Sequence, residues 1–111
     1  MLDRIAAKQE HYLDLLSARQ KLVASNLANA ETPGYVTKDI DFQREFLTLT
    51  KGQAAPIQEP DGLAFRNDGN NVSMERETRL LAENALRFQF VSMMVKGKFR
   101  AIRSALQEGR G

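Results

Sequence analysis

The stretch from Leu81 to Leu106, LAENALRFQFVSMMVKGKFRAIRSAL, decides the fold of this chain. Alternate steps of three and four residues trace a mostly apolar seam through it, which predicts a long helix that packs against other helices. A second, weaker stripe with small residues follows the same step, and a helix that is apolar on two faces expects several neighbours. The main seam comprises Leu81, Asn84, Phe88, Val91, Val95, Lys98, Ile102 and Ala105, and the second stripe comprises Phe90, Met94, Gly97, Ala101 and Ser104.

The N-terminal segment repeats this pattern. Its seam runs through Ile5, Lys8, Tyr12, Leu15, Arg19, Leu22, Asn26 and Asn29. The two asparagines are open to two interpretations: they are buried seam amides that fix the register of association, or they face solvent and cap the helix end. The two segments predict a mainly α fold, in which long terminal helices form an antiparallel, coiled-coil-like pair.

Between the two predicted helices, the helical periodicity gives way to helix-breaking and turn-forming residues. Thr32-Pro33-Gly34 ends the first helix near Ala30, because proline cannot continue the hydrogen-bond ladder and glycine permits positive φ. The following segment is rich in turn-forming residues, so we expect an irregular, loop-rich connection with at most short strand or helix pieces and no core of its own. An extended piece is predicted at 36–42, and a short helix is predicted from Asp41 to Thr50, ended by Gly52.

The second helix is predicted to begin near Met74. Ser73 is a good N-cap, and Glu75 and Glu77 place negative charge in the first helical turn, where the helix dipole favours it. The predicted organisation is therefore a discontinuous helical core formed by residues 1–30 and 73–108, a connecting region at 31–72 and a C-terminal tail at 109–111.

Composition excludes several classes of function. The chain has 111 residues and a formal net charge of +2, so no strong overall field points to nucleic acid or to a membrane. It has no cysteine, which removes disulfides and thiolate chemistry. We see no signal peptide and no membrane span, which by default indicates a cytoplasmic protein. A basic set near the C-terminus is either a solvated face or a docking patch: Lys96, Lys98, Arg100, Arg103 and Arg110.

No catalytic or metal-binding constellation is visible. The single histidine, His11, has Asp14 three residues on, and we interpret it as a surface histidine with a helical ion-pair partner. The glycines never form a phosphate-binding spacing, and the aromatic residues do not interleave with the basic ones. We therefore expect no enzyme activity, no metal, no cofactor, no small-molecule substrate and no nucleic-acid partner.

The string NLANAETPGY, from Asn26 to Tyr35, resembles the motif that ends the first helix in bacterial flagellar axial proteins. Within it, Thr32, Pro33, Gly34 and Tyr35 form the helix break. Further strings narrow the resemblance to proximal rod proteins of the FlgB type: DIDFQ, GNNVSMERE, LAENALRFQ and KFRAIRSALQEGR. The resemblance spans nearly the whole chain and is weakest at 51–68. Family members commonly carry Asp at the position of Ser73 and a longer connecting region.

This resemblance implies a structural subunit whose terminal helices polymerise into the drive shaft of the flagellar basal body, which transmits torque and encloses the export channel. The implied partners are copies of the chain, other rod proteins, membrane-ring and rod-adaptor proteins and the export gate. The implied location is the periplasmic rod, reached through the flagellar type III export pathway without a cleaved signal. The alternative is a soluble helical adaptor or export chaperone that binds partner helices, and the seam pattern alone does not separate the two.

Overall fold

The protein consists of three helices joined by extended and turning segments. A computed structural model describes residues 2–48 and 55–109, with side chains from Arg4 onwards. Helix α1 spans Leu2–Ala28, α2 spans Phe42–Thr48 and α3 spans Met74–Glu108. The prediction of a mainly helical chain is confirmed. The predicted end of the middle helix at Thr50, its break at Gly52 and the tail beyond residue 109 lie outside the described residues.

Local sequence signals set the helix ends. Ser73 caps α3, and its hydroxyl accepts a hydrogen bond from the backbone N–H of Arg76 at 3.2 Å. The predicted start at Met74 is therefore confirmed. Helix α1 ends at Ala28, and turns continue to the Pro33-Gly34 break. Gly34 has φ +76°, a conformation that side chains with a Cβ rarely adopt.

Helices α1 and α3 pack antiparallel, as predicted. The amide of Asn84 donates to Gln20 Oε1 at 3.0 Å near one end of the pair, whereas Ala6 and Ile102 line a common cavity at the other. The molecule is elongated, with extents of 70 × 24 × 17 Å. Its buried apolar residues come from both helices and from the connection: Leu15, Leu16, Val23, Ala30, Ile40, Val72 and Leu80.

The short helix α2 packs on α1 through aromatic side chains. Tyr12 makes edge-to-face contacts with Phe42 and Phe46, with ring centroids 5.3 Å apart in each pair. His11 Nε2 donates a hydrogen bond to the backbone carbonyl of Glu45 at 2.8 Å. The interpretation of His11 as a surface partner of Asp14 is therefore wrong, because the half-buried ring binds a carbonyl in the last turn of α2.

The expectation that the connection builds no core is also wrong. An isolated antiparallel bridge joins Asp39 to Gln58, and two parts of the connection become buried against the helices. Hydrophobic patterning missed this packing because most of the buried residues are polar, and their burial is compensated by hydrogen bonds. The buried connection residues are Thr37, Asp39, Ile40, Asn70, Asn71 and Val72.

Candidate assembly surfaces and the polar clasp

A buried polar cluster ties the connection to both helices at one end of the pair. We call it the polar clasp. Each member is either buried or binds a buried residue. The members come from α1, the connection and the first turn of α3. The polar clasp consists of Arg19, Asn26, Thr37, Asp39, Arg66, Asn70, Asn71, Arg76 and Glu77.

An ion network forms the part of the clasp that joins three segments. Arg19 Nε and Nη2 donate to the two carboxylate oxygens of Asp39, at 3.0 Å each. Arg76 donates to Asp39 Oδ2 at 2.5 Å and to Glu77 Oε1 at 2.6 Å. The Asp39 side chain is only 5% exposed, so its charge depends on these partners. Asp39 therefore fixes α1, the connection and α3 relative to one another.

Asn26 binds the chain that follows the helix break. Its Nδ2 donates to the carbonyl of Lys38 at 2.8 Å, and its Oδ1 accepts from the Lys38 N–H at 3.1 Å. The Tyr35 hydroxyl donates to the same Oδ1 at 2.9 Å, so Tyr35 packs back on the end of the helix. Asn26 is 1% exposed and its partners lie inside the chain, so it does not face solvent, and its role in the register of association stays a prediction.

Asn29 has a different environment. It is half-buried, its Nδ2 donates to the carbonyl of Ser25 at 2.8 Å, and its Oδ1 accepts from the Thr32 hydroxyl at 3.1 Å. These contacts stabilise the last turn of α1 and the start of the break. Asn29 therefore caps the end of α1, as the second sequence interpretation proposed.

The second half of the connection closes the C-terminal end of α1. Asn70 Nδ2 donates to the carbonyls of Asn29 and Thr32 at 2.9 Å each, and the Arg66 guanidinium donates to the carbonyl of Ala30. These carbonyls belong to the turns that follow α1, so the hydrogen bonds fix the path of the chain through the break. Gly69 lies so close to the break that an added Cβ would stand 3.4 Å from the Gly34 Cα. The break motif is therefore held by a segment more than thirty residues away.

Two clasp oxygens lack hydrogen-bond partners within the described residues. They are Thr37 Oγ1 and Glu77 Oε2, and both residues are fully buried. The Thr37 backbone N–H is satisfied, since it donates to Asn71 Oδ1 at 2.7 Å. An unsatisfied buried oxygen costs free energy, so the clasp gains its stability from the remaining contacts.

The predicted seam residues divide along the pair. Leu15 and Asn84 are buried, and Leu22, Val91 and Val95 are half-buried. The α1 seam residues Tyr12, Arg19 and Asn26 contact α2 and the connection. The other seam residues of α3 stay partly open to solvent. Leu81 is 38% exposed, Phe88 is 45% exposed and Ile102 is 43% exposed.

A second apolar surface of α3 is left largely exposed to solvent by the described residues. Its large side chains are between 50% and 68% exposed, which is a high exposure for so many apolar groups on one helix. The surface consists of Leu86, Phe90, Met93 and Met94, and we call it the outer stripe. It overlaps the second stripe that the sequence predicts.

Two cavities lie between α1 and α3, the larger one farther from the clasp, and we refer to them together as the groove. Its wider part is a cavity of about 550 Å³ between Ala6, Leu13, Val95, Phe99 and Ile102. A narrower part of about 320 Å³ lies nearer the clasp, between side chains that include Leu16, Gln20, Asn84 and Phe88. The groove is therefore mainly apolar. Its α3 wall contains predicted seam residues, whereas its α1 wall is formed by residues outside the predicted α1 seam.

The described residues contain no cluster of three or more histidine, cysteine or acidic side chains that could hold a metal ion. None of their helices is long and apolar enough to cross a membrane. The features that stand out are the clasp, the groove and the outer stripe. Sequence reasoning missed most of the clasp, although the polar string Arg66–Asn71 followed by a helix N-cap was a signal that could have pointed to it.

The family model and the relatives that match this chain all describe flagellar basal body rod proteins. The family described as flagella basal body rod protein matches residues 13–35, the stretch that contains the helix break. The chain is 34% identical to the flagellar basal body rod protein FlgB of Yersinia enterocolitica, over 98% of this chain and 100% of the relative. It is 33% identical to FlgB of Escherichia coli (strain K12), over 98% and 99%, and 25% identical to FlgB of Bacillus subtilis (strain 168), over 91% and 92%.

The alignment with the Yersinia protein extends over 137 positions, whereas this chain has 111 residues, so the relative carries segments that this chain lacks. The agreement nevertheless covers both terminal helices. The relatives are structural proteins of the basal body rod, which confirms the prediction that the chain is not an enzyme. The chain belongs to the flagellar basal body rod proteins of the FlgB type.

Proposed function

We propose that this rod protein polymerises through the groove and the outer stripe, so that residues 1–30 and 73–108 form the assembly unit and residues 31–72 connect and brace it. The observation that carries the proposal is the contrast on α3: Leu80 is 6% exposed near the clasp, whereas Phe90 is 65% exposed further along. A soluble protein that worked alone would gain no stability from so large an apolar surface.

The proposed partners are copies of the chain and other rod proteins, together with the membrane-ring proteins, rod-adaptor proteins and export gate at the base of the rod. Contacts between different faces, repeated with a rotation and a rise, generate an open helical array, which is the symmetry of a shaft. Helix α1 is about 40 Å long and α3 is about 52 Å long at 1.5 Å per residue, so neighbouring pairs overlap along most of their length. Such a shaft transmits torque through helix packing.

Substitution of Phe88 tests this proposal. Phe88 lines the groove and is already 45% exposed, so Phe88→Ala is expected to cost the isolated subunit less than the roughly 3 to 5 kcal/mol typical of a fully buried Phe. In an assembly the same loss recurs in every copy. We therefore expect the variant to be made at normal levels and to leave rods incomplete and cells non-motile.

Arg79→Ala is the matched control, because Arg79 is an exposed residue on the same helix and its removal is expected to change stability by less than about 0.5 kcal/mol. Basal bodies from both strains would be purified and imaged. Complete, motile flagella in the Phe88→Ala strain at normal protein levels would contradict the proposal. Absence of the unmodified chain from purified basal bodies would favour the soluble adaptor or export chaperone instead.

A further inference from the structure

The connection contains two Asp-Gly pairs, Asp61-Gly62 and Asp68-Gly69. In such a pair the backbone nitrogen of the glycine can attack the carboxyl carbon of the aspartate side chain, because glycine has no Cβ to obstruct the approach. Both aspartates are exposed and both glycines have φ +83°, so neither exposure nor the glycine conformation distinguishes the pairs. The difference between them lies in their hydrogen bonds.

Hydrogen bonds hold both reacting groups of the Asp68-Gly69 pair. The Gly69 N–H donates to the carbonyl of Arg66 at 3.0 Å, and Asp68 Oδ1 accepts from the Asn70 N–H at 3.0 Å. The Asp68 carbonyl also accepts from the Gly34 N–H at 2.8 Å, which fixes the pair against the helix break. The carboxyl carbon therefore reaches the Gly69 nitrogen only after these bonds open locally, and local opening costs free energy.

The Asp61-Gly62 pair has no such restraint. Among the residues that the structure describes, no hydrogen bond or ion pair involves either member of the pair. The chain bends at these two residues, and a Cβ added to Gly62 would have no atom within 4 Å. The carboxyl carbon and the glycine nitrogen therefore approach each other without breaking a contact, and water reaches both.

We propose that Asp61 is a site of spontaneous isomerisation to isoaspartate, whereas its hydrogen bonds protect Asp68 from the same reaction. The proposal goes beyond the role in the rod and does not depend on it. The contrast between two identical dipeptides in one connection carries the proposal, because the sequence of each pair is the same and only the folded structure separates them.

The reaction needs no reagent other than water. The Gly62 nitrogen forms a bond to Asp61 Cγ, the bond from Cγ to the hydroxyl oxygen of the protonated carboxyl breaks, and that hydroxyl leaves with the amide proton as water. The product is a cyclic succinimide. Water then adds to one of the ring carbonyl carbons, and the bond from that carbon to the Gly62 nitrogen breaks. Opening at the side-chain carbonyl restores aspartate, and opening at the main-chain carbonyl leaves isoaspartate.

Isoaspartate at position 61 changes the connection in two ways. It adds a methylene group to the main chain between Gln58, whose backbone is bonded to Asp39, and Arg66, whose N–H donates to the Asn70 carbonyl. It also creates a carboxylate on the α-carbon, which is the substrate class of isoaspartate methyltransferases. In that reaction the carboxylate oxygen bonds to the methyl carbon of S-adenosylmethionine, and the bond from the methyl carbon to sulfur breaks.

Oxygen exchange tests the proposal on the full-length chain. The purified protein would be kept at neutral pH in water enriched in a heavy oxygen isotope, so that each hydrolysis of a succinimide introduces one labelled oxygen. Trypsin then cleaves after Arg66 in ordinary water, which places the two pairs on different peptides. We expect the Asp61 peptide to carry about tenfold more label than the Asp68 peptide, which corresponds to an opening free energy of about 1.4 kcal/mol at Asp68. Equal label in the two peptides, or more label at Asp68, would overturn the proposal.

The Asp61→Glu variant is the matched control, because it keeps the charge but cyclises through a larger ring, which forms more slowly. We expect the label to disappear from the peptide that contains position 61, with the Asp68 peptide unchanged. Aged unmodified chain should accept methyl groups from S-adenosylmethionine in the presence of a purified isoaspartate methyltransferase, and the aged variant should not. Label or methylation that persists in the variant would overturn the assignment to Asp61.

Unfolding separates the effect of the structure from the effect of neighbouring residues. In guanidinium chloride the hydrogen bonds at Asp68 are lost, so we expect both pairs to take up label equally. An undiminished difference between the pairs in the unfolded chain would show that the hydrogen bonds do not protect Asp68, and the proposed protection would fail.

Discussion

At the clasp end of the molecule, α1 and α3 are joined through buried charged and amide side chains, whereas at the open end the same two helices border a wide apolar groove. Near the clasp, Asn26, Glu77 and Val23 are almost fully buried. Further along, Phe99 is 65% exposed and no third helix covers it within the described residues. One end is therefore complete in a single chain, and the other leaves apolar area for a neighbour.

The difference shows how the shape of a subunit can be fixed before the subunit assembles. Hydrogen bonds and ion pairs depend strongly on geometry, so the clasp fixes the register of α1 against α3. Apolar contacts depend mainly on the area removed from water, so the open end can adapt to its neighbours. We expect the clasp to set the shape of the subunit and the open end to supply most of the free energy of association.

Amide hydrogen exchange should show the largest difference between the two ends. In an isolated monomer, we expect amides at 15–28 and 74–84 to exchange about a thousandfold more slowly than amides at 4–12 and 90–106, because local opening is cheap where few contacts are buried. Mass spectrometry of the exchanging protein measures this ratio. Equally strong protection of residues 5–25 and 80–105 in a confirmed monomer would remove the contrast.

Removal of the Asp39 carboxylate should break the clasp. Asp39→Ala leaves the guanidinium groups of Arg19 and Arg76 without their shared anion, and loss of one member of a buried ion network typically costs about 3 to 5 kcal/mol. Urea denaturation followed by circular dichroism gives the free energy of unfolding. Asp61→Ala, at an exposed position, is the control, and an equal effect of both substitutions would contradict the role of the network.

Asn26→Leu should have a somewhat smaller effect. It removes the hydrogen bonds to the backbone of Lys38 and to Tyr35, and each buried group left unsatisfied costs about 1 to 3 kcal/mol. Asn29→Leu is the matched control, because the hydrogen bonds of the Asn29 side chain within the described residues reach only Ser25 and Thr32, in the last turn and the break. Equal free energies of unfolding for the two variants would contradict the assignment of Asn26 to the clasp.

A register role for the two asparagines in assembly remains a separate prediction. If their amides also discriminate between neighbours, the double variant Asn26→Leu, Asn29→Leu should promote uncontrolled association. Light scattering of the purified variant and motility of the corresponding strain measure this. Normal motility together with an unaltered aggregation profile would exclude the role.

Phe90→Ala should have the smallest effect on the isolated subunit. Phe90 belongs to the outer stripe and is 65% exposed, so its truncation is expected to change the free energy of unfolding by less than about 0.5 kcal/mol. In cells, the same substitution should impair rod formation if the outer stripe is covered by a neighbour. A large loss of monomer stability would show that the outer stripe contributes to the subunit fold.

The sequence by itself determined the helices and their ends. The three-four periodicity of Leu81, Val91 and Val95 predicts a long helix, and Ser73 and Pro33 mark where the two terminal helices start and stop. These signals are local, because capping and helix breaking depend on residues within one or two turns. The antiparallel pairing follows from the two seams, and the NLANAETPGY string points to the family.

Only the tertiary structure decided which polar residues are buried and what holds the break motif. Asp39 and Asn70 look like loop residues in the sequence, since their polarity predicts exposure. Their burial is favourable only because Arg19, Arg76 and the carbonyls at the end of α1 come from distant parts of the chain to pair with them. Such pairing leaves no periodic signal, because it depends on where the folded backbone places each group rather than on spacing along the chain.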